Sequence, residues 1–549
     1  MEAAVAGSFR QRLRRGFYGS SAYEHFLSVR PPADLALRLP VRWPGDPKRG
    51  EELLAGEFRF AGLSLREPAP IWSPPEATPE FLAELHSFSW LADLAAAASD
   101  EARRAGAAFI GHWLGSEGKR WRPLSWRADI LGARLVAWIA YIDEFAPAGS
   151  DPELRHAMLE GLARQLRHLG RVASTEVAGA ARFAALKGLV MGYFALGGGE
   201  AQIGRALEKL GQEMLAQIYP DGGTVERSPM KQLAILRDLV DIRTVLRAAG
   251  RPVPDELQSM IDGAAGMLRL FRHGDGRLAH FNGTSEEFGG FVDLVLSRSE
   301  SRTRAPTNAP QTGFQRLQAG KTLVLVDTGA PPPPPFDTHA HAGTLSLEVS
   351  FGKERLIVNC GSYRGPSPLW RAAARSSAAH STLVVADTNS AEILDNGSLG
   401  QRPAITSLGR SEEAGDQWIA VSHDGYVARF GLVHSRQIFL SADGDDLRGE
   451  DRLAGPPGEN FVIRFHLHPA VQVQLIQDGS AALLRLASGT GWRLRAQGAQ
   501  LSLAESIYLG CGEMKRSQQI VLNGHVGTQG AEIRWGLKRE NRKPPEAQS

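Results

Sequence analysis

Two histidines, His339 and His341, stand in the run Thr-His-Ala-His-Ala-Gly, directly after the five prolines Pro331 to Pro335 and directly before an apolar run. On an extended chain alternate side chains share a side, so both imidazoles are expected to face one site. The proline run is expected to be a stiff spacer that presents them. A third histidine, His380, precedes the run Ser381 to Val385, and Asn359 closes Leu356 to Val358. Imidazoles transfer protons near neutral pH and also ligate metals. The competing reading is that all of these are polar residues at strand ends.

Elements must hold those side chains. In the front half, Phe81 to Ala98, Arg127 to Phe145, Asp151 to Leu169, Ala180 to Leu196 and Ala201 to Ile218 carry apolar residues at helical spacing. Pro229 to Ala249 continues the pattern and stops at Gly250, and Pro254 opens another helix. Paired helices with short loops predict an (α/α) toroid or a solenoid-like array. Between Ser299 and Gln311 the texture turns to Ser, Arg, Thr, Asn and Pro, and the period changes to two. Short runs then recur: Thr322 to Val326, Leu345 to Phe351, Leu356 to Val358, Ser381 to Val385, Trp418 to His423, Phe461 to His468 and Ala482 to Leu486. Their number and spacing predict an antiparallel β-sandwich. The fold class is therefore multidomain α + β: an N-terminal strap over 1–78 with a short β piece at Phe58 to Leu65, an incomplete toroid over 79–305, and a sandwich over 306–549.

The length of 549 residues exceeds one core, and 43% hydrophobic with 22% charged residues is ordinary for a globular chain. A net charge of +2 gives no bulk attraction to nucleic acid or membrane, so an anionic ligand must meet a local cluster. Cys360 and Cys511 are too few for a disulfide framework. Arg10, Arg12, Arg14 and Arg15 are not followed by a signal-peptide core, and no apolar run has the length of a membrane span. A cytoplasmic protein is expected, with the periplasm as the alternative.

The runs His339-Ala-His341-Ala-Gly-Thr-Leu-Ser-Leu-Glu, Arg355-Leu-Ile-Val-Asn-Cys-Gly and Ala379-His380-Ser-Thr-Leu resemble the consecutive blocks of the C-terminal domain of bacterial heparinase II/III-like proteins. Upstream, Gln217-Ile-Tyr-Pro-Asp-Gly-Gly-Thr-Val-Glu-Arg-Ser-Pro resembles the motif of the alginate-lyase-like toroid in the same superfamily. The resemblance implies a polysaccharide lyase that cleaves a uronic-acid glycan by β-elimination. That reaction needs the C6 carboxylate neutralised, a base for the C5 proton and an acid for the departing O4. No cofactor is required. The resemblance puts His339 at the catalytic cleft, and His341, Asn359 and His380 at positions that hold zinc in some members.

Departures from the pattern qualify this. Asn359 replaces a carboxylate and is a poor zinc ligand. Lys231 stands where the family's lyases have a tyrosine, and Ala180 and Ala181 stand where they have Asn or Asn-His. As substitutes, Arg227 or Lys231 would neutralise a uronate and Tyr219 or Glu226 would move protons. Gln217 and His280 would be further substrate contacts. The alternatives are a helix-start ion pair for Glu226 and Arg227 and a core position for Tyr219. Trp72, Trp90, Trp113, Trp121, Trp126 and Trp138 read as core, His466 and His468 as solvent-facing, and Asp443-Gly-Asp-Asp as a hairpin turn. The expected partner is an acidic polysaccharide or oligosaccharide. The expected function is a lyase, the alternative being a catalytically degenerate glycan-binding protein; a third reading is a metal-dependent hydrolase on His341 and His380.

Overall fold

The computed structural model describes residues 14, 16–40, 42–68, 70–510 and 513–540. Arg10, Arg12, Arg15 and Cys511 lie outside them. Contacts divide the chain into two compact units, one running to Gln217 and including Arg237–Ser259, the other made of Ile218–Leu236 and the chain from Met260 onward.

The first unit is helical. Its elements are α1 (Ser21–Leu27), α2 (Pro47–Leu54), α3 (Pro79–Ser87), α4 (Leu91–Ala96), α5 (Asp100–Ser116), α6 (Ala128–Phe145), α7 (Pro152–Val172), α8 (Ala180–Ala195) and α9 (Glu200–Gln217), with a two-stranded hairpin at Glu57–Phe60 and Leu63–Arg66. α3, α5 and α7 begin at side-chain caps: Thr78, Ser99 and Asp151 accept from the backbone N–H of Phe81, Ala102 and Leu154. The stretch expected as one helix from Phe81 is broken, because Phe88 turns into the left-handed region at φ 57° and its ring is buried against Trp72, Trp90, Trp113 and Trp138. α6 and α8 cross at glycines: a Cβ on Gly188 would lie 2.3 Å from Gly132 Cα. α8 and α9 run antiparallel, with Arg182 on α8 paired to Glu213 on α9 at 2.9 Å. No helix among the described residues is long and apolar enough to cross a membrane.

The chain then continues through α10 (Pro229–Ala248), α11 (Asp255–Leu270) and α12 (Gly289–Ser299). The second unit carries two antiparallel sheets. One runs Gln472–Ile476, Ala481–Arg485, Gly491–Gln497, Ala531–Glu540, Asp446–Ala454, Leu432–Leu440, Asp416–Tyr426 and Ile405–Glu413 in spatial order. The other runs Gln500–Tyr508, Lys515–His525, Asn460–Leu467, Glu354–Val358, Leu347–Phe351, Thr322–Asp327, Phe314–Ala319 and Asn308–Ala309, with Leu383–Val385 also pairing Asn460–Leu467. Inward residues of both sheets, among them Val326, Phe465, Trp492 and Leu537, form one core.

Two expectations change here. The proline run is not an extended spacer: Pro331 and Pro332 are buried and the chain turns through 334–339. His466 is not solvent-facing but 3% exposed, because Asn460–Leu467 lies inside its sheet and the segment before His380 covers it. Its Nε2 bonds Ala378 O at 3.0 Å and its Nδ1 bonds Ser506 Oγ at 2.8 Å. His468 is half-buried.

One buried cation ties this fold to the histidine loops. Arg436 is fully buried, meets Asp451 through Nε at 2.8 Å and Nη2 at 3.1 Å, and donates to Leu345 O and Ser381 O at 2.7 and 3.0 Å. Asp451 also accepts from His434 and from Trp535 Nε1. Burial alone would raise the Asp451 carboxyl, but Arg436 and His434 hold it well below the usual range. Removing one partner of such a pair strands a buried charge. Asp451→Ala should therefore lose about 3–5 kcal/mol in urea denaturation; a loss under ~1 kcal/mol would show that Arg436 does not anchor these loops.

Candidate functional site

His339 and His341 do not share a face. The chain around them is turn rather than strand, so His339 is exposed and His341 is buried. The fate of His341 is set by its neighbours: its Nε2 accepts the N–H of Gly283 at 3.0 Å, and its Nδ1 lies 3.0 Å from His380 Nε2. His380 Nδ1 in turn lies 2.7 Å from Ser376 O. Only one proton arrangement satisfies all three contacts: His380 donates to Ser376, His341 donates to His380, and Gly283 donates to His341. Both rings are then neutral. Burial, first, and then the repulsion that a protonated His380 would exert push His341 well down, and burial pushes His380 down to about 4.

These residues do not fit a zinc ion. Each lone pair that would ligate it, on His341 Nε2 and His380 Nε2, already accepts a hydrogen bond, and the third position is an amide whose Oδ1 accepts from Ser381 N at 2.9 Å. Among the described residues no group of three or more His, Cys, Asp or Glu side chains could hold a metal. The metal role expected of His341, Asn359 and His380 is thus replaced by a hydrogen-bonded relay.

A second buried cluster adjoins it. Glu348, fully buried on Leu347–Phe351, accepts from His273 Nε2 at 2.8 Å and from the backbone N–H of His280 and Asn359 at 3.0 and 2.9 Å. Burial would raise this carboxyl, yet His273, His280 and Arg355 together bring it to about 2. Arg355 binds Asp275 at 2.9 Å, and Glu286 is held by Tyr508 Oη and Arg277. Burial and then the Glu286 charge drive the Tyr508 hydroxyl far up, which keeps it protonated. His280 is buried rather than open to substrate, its Nδ1 donating to Asn359 O at 3.2 Å. His280 Nε2 and Asn359 Nδ2 have no hydrogen-bond partner among the described residues. Nothing in the sequence singled out His273, Glu286 or Tyr508; a glutamate inside the apolar strand Leu-Glu-Val-Ser-Phe was the available signal for Glu348.

The toroid motif meets the histidine loop through Asn282. Its Nδ2 donates to Arg227 O at 3.0 Å and its Oδ1 accepts from His341 N at 3.1 Å, while Thr284 Oγ1 meets Ser228 Oγ and Met230 N at 3.1 and 3.2 Å. Arg227 itself is not available to a ligand. It is 5% exposed, paired with Asp327, and donates to Thr312 O, Ala330 O and Gly313 O at 2.6, 2.8 and 3.0 Å. Its partner is therefore Asp327 and not the helix-start neighbour Glu226. Tyr219, Glu226 and Lys231 are half-buried, and no carboxylate lies within ion-pair distance of Lys231 among the described residues. Gln217, at the end of α9, is 1% exposed and its Nε2 donates to Glu213, so it is closed to substrate.

An exposed feature of the same unit was not foreseen. α13 (Pro368–Arg375) carries Leu369 and Trp370 at 83% and 39% exposure, and Trp370 lies 6.4 Å from Tyr363 at an interplanar angle of 34°. Arg364 beside them is exposed. Arg375 ties the helix to the histidine loop by donating to Ala340 O at 2.8 Å and Gly397 O at 2.7 Å.

The buried imidazoles make stability depend on pH. Between pH 6.5 and about 4 an unfolded chain binds protons that folded His380 does not, so stability is complete above about 6.5 and falls as pH drops through that window. Each such imidazole contributes about 1.4 kcal/mol per pH unit. Denaturation midpoints measured from pH 7 to 4.5 should fall, and the slope should be shallower in His380→Gln; an identical slope would mean that His380 is already charged in the folded protein.

Residues 301–536 match the family description "Heparinase II/III-like, C-terminal". Over 562 aligned residues the chain is 32% identical to FtsZ-localized protein C of Caulobacter vibrioides, covering 98% of this chain and 96% of that protein. Among solved structures, heparinase III superposes with a TM-score of 0.71 at 14% identity, over 86% of this chain and 79% of that one. The heparan sulfate lyase of Pedobacter heparinus gives 0.60 at 15% identity over 98% and 92%, and the chondroitin AC lyase of Streptomyces coelicolor gives 0.54 at 11% over 90% and 79%. At such identities the likeness is one of fold, a helical toroid followed by an antiparallel β-sandwich. By sequence and by fold, the chain belongs to the heparinase II/III-like family.

Proposed function

We propose that this protein binds an acidic glycan without cleaving it, and that it localises with FtsZ as its relative's name states for that protein. One observation carries the first part: Arg227, one of the two substitutes expected to neutralise a uronate, is buried and bonded to Asp327 and three carbonyls. The imidazoles of His341 and His380 are committed to each other, and the tyrosine hydroxyl of Tyr508 to Glu286. What remains uncommitted suits binding. Trp370 and Tyr363 offer flat apolar faces on which the C–H side of a sugar ring stacks, and Arg364 offers a carboxylate partner. The near-full-length relation to FtsZ-localized protein C supports the second part, and a cytoplasmic location belongs to the same reading.

A second reading, a surviving lyase, is favoured by the exposure of His339, which adjoins Gly283, and by a motif that keeps Lys231. In that reading Lys231 neutralises the uronate, His339 takes the C5 proton, the C4–C5 double bond forms as the C4–O4 bond breaks, and the resulting imidazolium returns the proton to the departing O4.

Titration with alginate, heparan and hyaluronan oligosaccharides separates the two. Binding should be measurable for at least one, should weaken at least tenfold in Trp370→Ala, and should occur with no rise in absorbance at about 232 nm, where the unsaturated product of elimination absorbs. An absorbance rise that His339→Ala abolishes would establish the lyase instead. In cells, a fluorescent fusion should form a band that coincides with FtsZ and disperses when FtsZ is depleted; a band that persists would remove that part of the proposal.

A further inference from the structure

The first unit contains a cavity of about 790 Å³ that is unrelated to the motifs above. It is lined by Arg30, Arg167, Arg171 and Arg205, with Tyr193 and Gln202 among the remaining residues, and among the described residues no Asp or Glu contributes to its wall. Its place in the fold separates it from the family's toroid chemistry. Tyr193 sits near the C-terminal end of α8 and Gln202 and Arg205 in the first turns of α9, whereas Ala180 and Ala181, aligned with the family's Asn-His position, open α8. A helix rises 1.5 Å per residue, so a 16-residue helix puts roughly 20 Å between those ends.

Like charges four residues apart on a helix repel. Arg167 and Arg171 are such a pair on α7, and both guanidiniums lie over the exposed ring of Phe26, at 4.5 and 4.2 Å from its centroid. Arg167 is steadied by Ser28 O at 3.5 Å and Arg171 by Arg167 O. None of the four arginines forms an ion pair with a carboxylate among the described residues. The contrast lies within the same molecule: the arginines at the surface near Arg534 are interleaved with acids, Arg534 with Glu450 at 2.9 Å and Arg493 with Glu540 at 2.8 Å. Gly170 has a further part, since a Cβ there would stand 2.9 Å from Tyr193 Oη; its absence lets the phenol lie against α7 at the cavity wall.

We propose that this cavity binds a phosphorylated small molecule carrying at least two phosphate groups on an organic body. The volume falls in the range of small-molecule sites. Val29, Leu166 and Leu196 provide an apolar wall for the body, and the four guanidiniums provide paired N–H donors for tetrahedral oxyanions. Charge selects phosphate over sugar acid. Two phosphates bring about three to four negative charges in a compact volume and match four arginines, whereas a uronate brings one per ring. The site goes beyond the glycan reading and shares none of its residues.

Calorimetric titration of the full chain with a nucleoside triphosphate, with inorganic tripolyphosphate and with tetragalacturonate tests this. The nucleotide should bind at least tenfold more tightly than tetragalacturonate, and affinity should fall with added salt. Arg167→Ala with Arg205→Ala should weaken nucleotide binding at least tenfold without lowering the melting temperature of the unliganded protein, while Arg534→Ala should change nothing. Tripolyphosphate alone binding as tightly as the nucleotide would overturn the assignment of an organic body. Tetragalacturonate binding as tightly as the nucleotide would overturn the phosphate assignment. No binding by any probe at millimolar concentration, or nucleotide binding untouched by the double variant, would overturn the site.

Discussion

The pairing of Arg227 with Asp327 governs what the rest of the motif can do. A guanidinium removed from water is tolerated only when its donors are met, and here four contacts meet them. The backbone of Arg227 adopts φ 52°, a left-handed conformation costing on the order of 1–2 kcal/mol for a residue with a Cβ. Those side-chain contacts, with Asn282 holding the carbonyl, over-determine it. Burial raises the Asp327 carboxyl above its usual range, and Arg227 offsets only part of that rise. The guanidinium of Arg227 is thereby part of the scaffold.

The same logic runs through the neighbouring clusters. Glu348 organises His273, His280 and Asn359, and the His341–His380 contact closes on backbone groups at both ends. Each buried polar side chain that finds a partner adds rigidity and loses a free lone pair or proton. The fold is shared with heparinase III at 14% identity, and the sequence is 32% identical to FtsZ-localized protein C along nearly its whole length.

Much of this architecture was legible in the residues. Strands such as Thr322–Asp327 and Asn460–Leu467 announced themselves by alternation or apolar runs, and α6 to α9 by helical spacing. α5 escaped notice because its buried face is Ala102, Gly106, Ile110 and Trp113, too small and mixed to draw a stripe. At the site, the error came from assuming an extended chain at His339 and His341: alternation puts two rings together only in a strand, and this segment turns. Arg227 and His280 were legible as important, but whether a polar residue serves a ligand or the fold depends on partners about 50 to 100 residues away, which spacing does not encode.

The most direct test of non-cleaving recognition is mass spectrometry of a bound glycan. The oligosaccharide that binds most tightly is incubated with a stoichiometric amount of the protein for many hours and then recovered. Unchanged chain length, with no unsaturated uronate at any end, is the result expected if Arg227 belongs to the scaffold. Shortened chains bearing that unsaturated end would contradict the account.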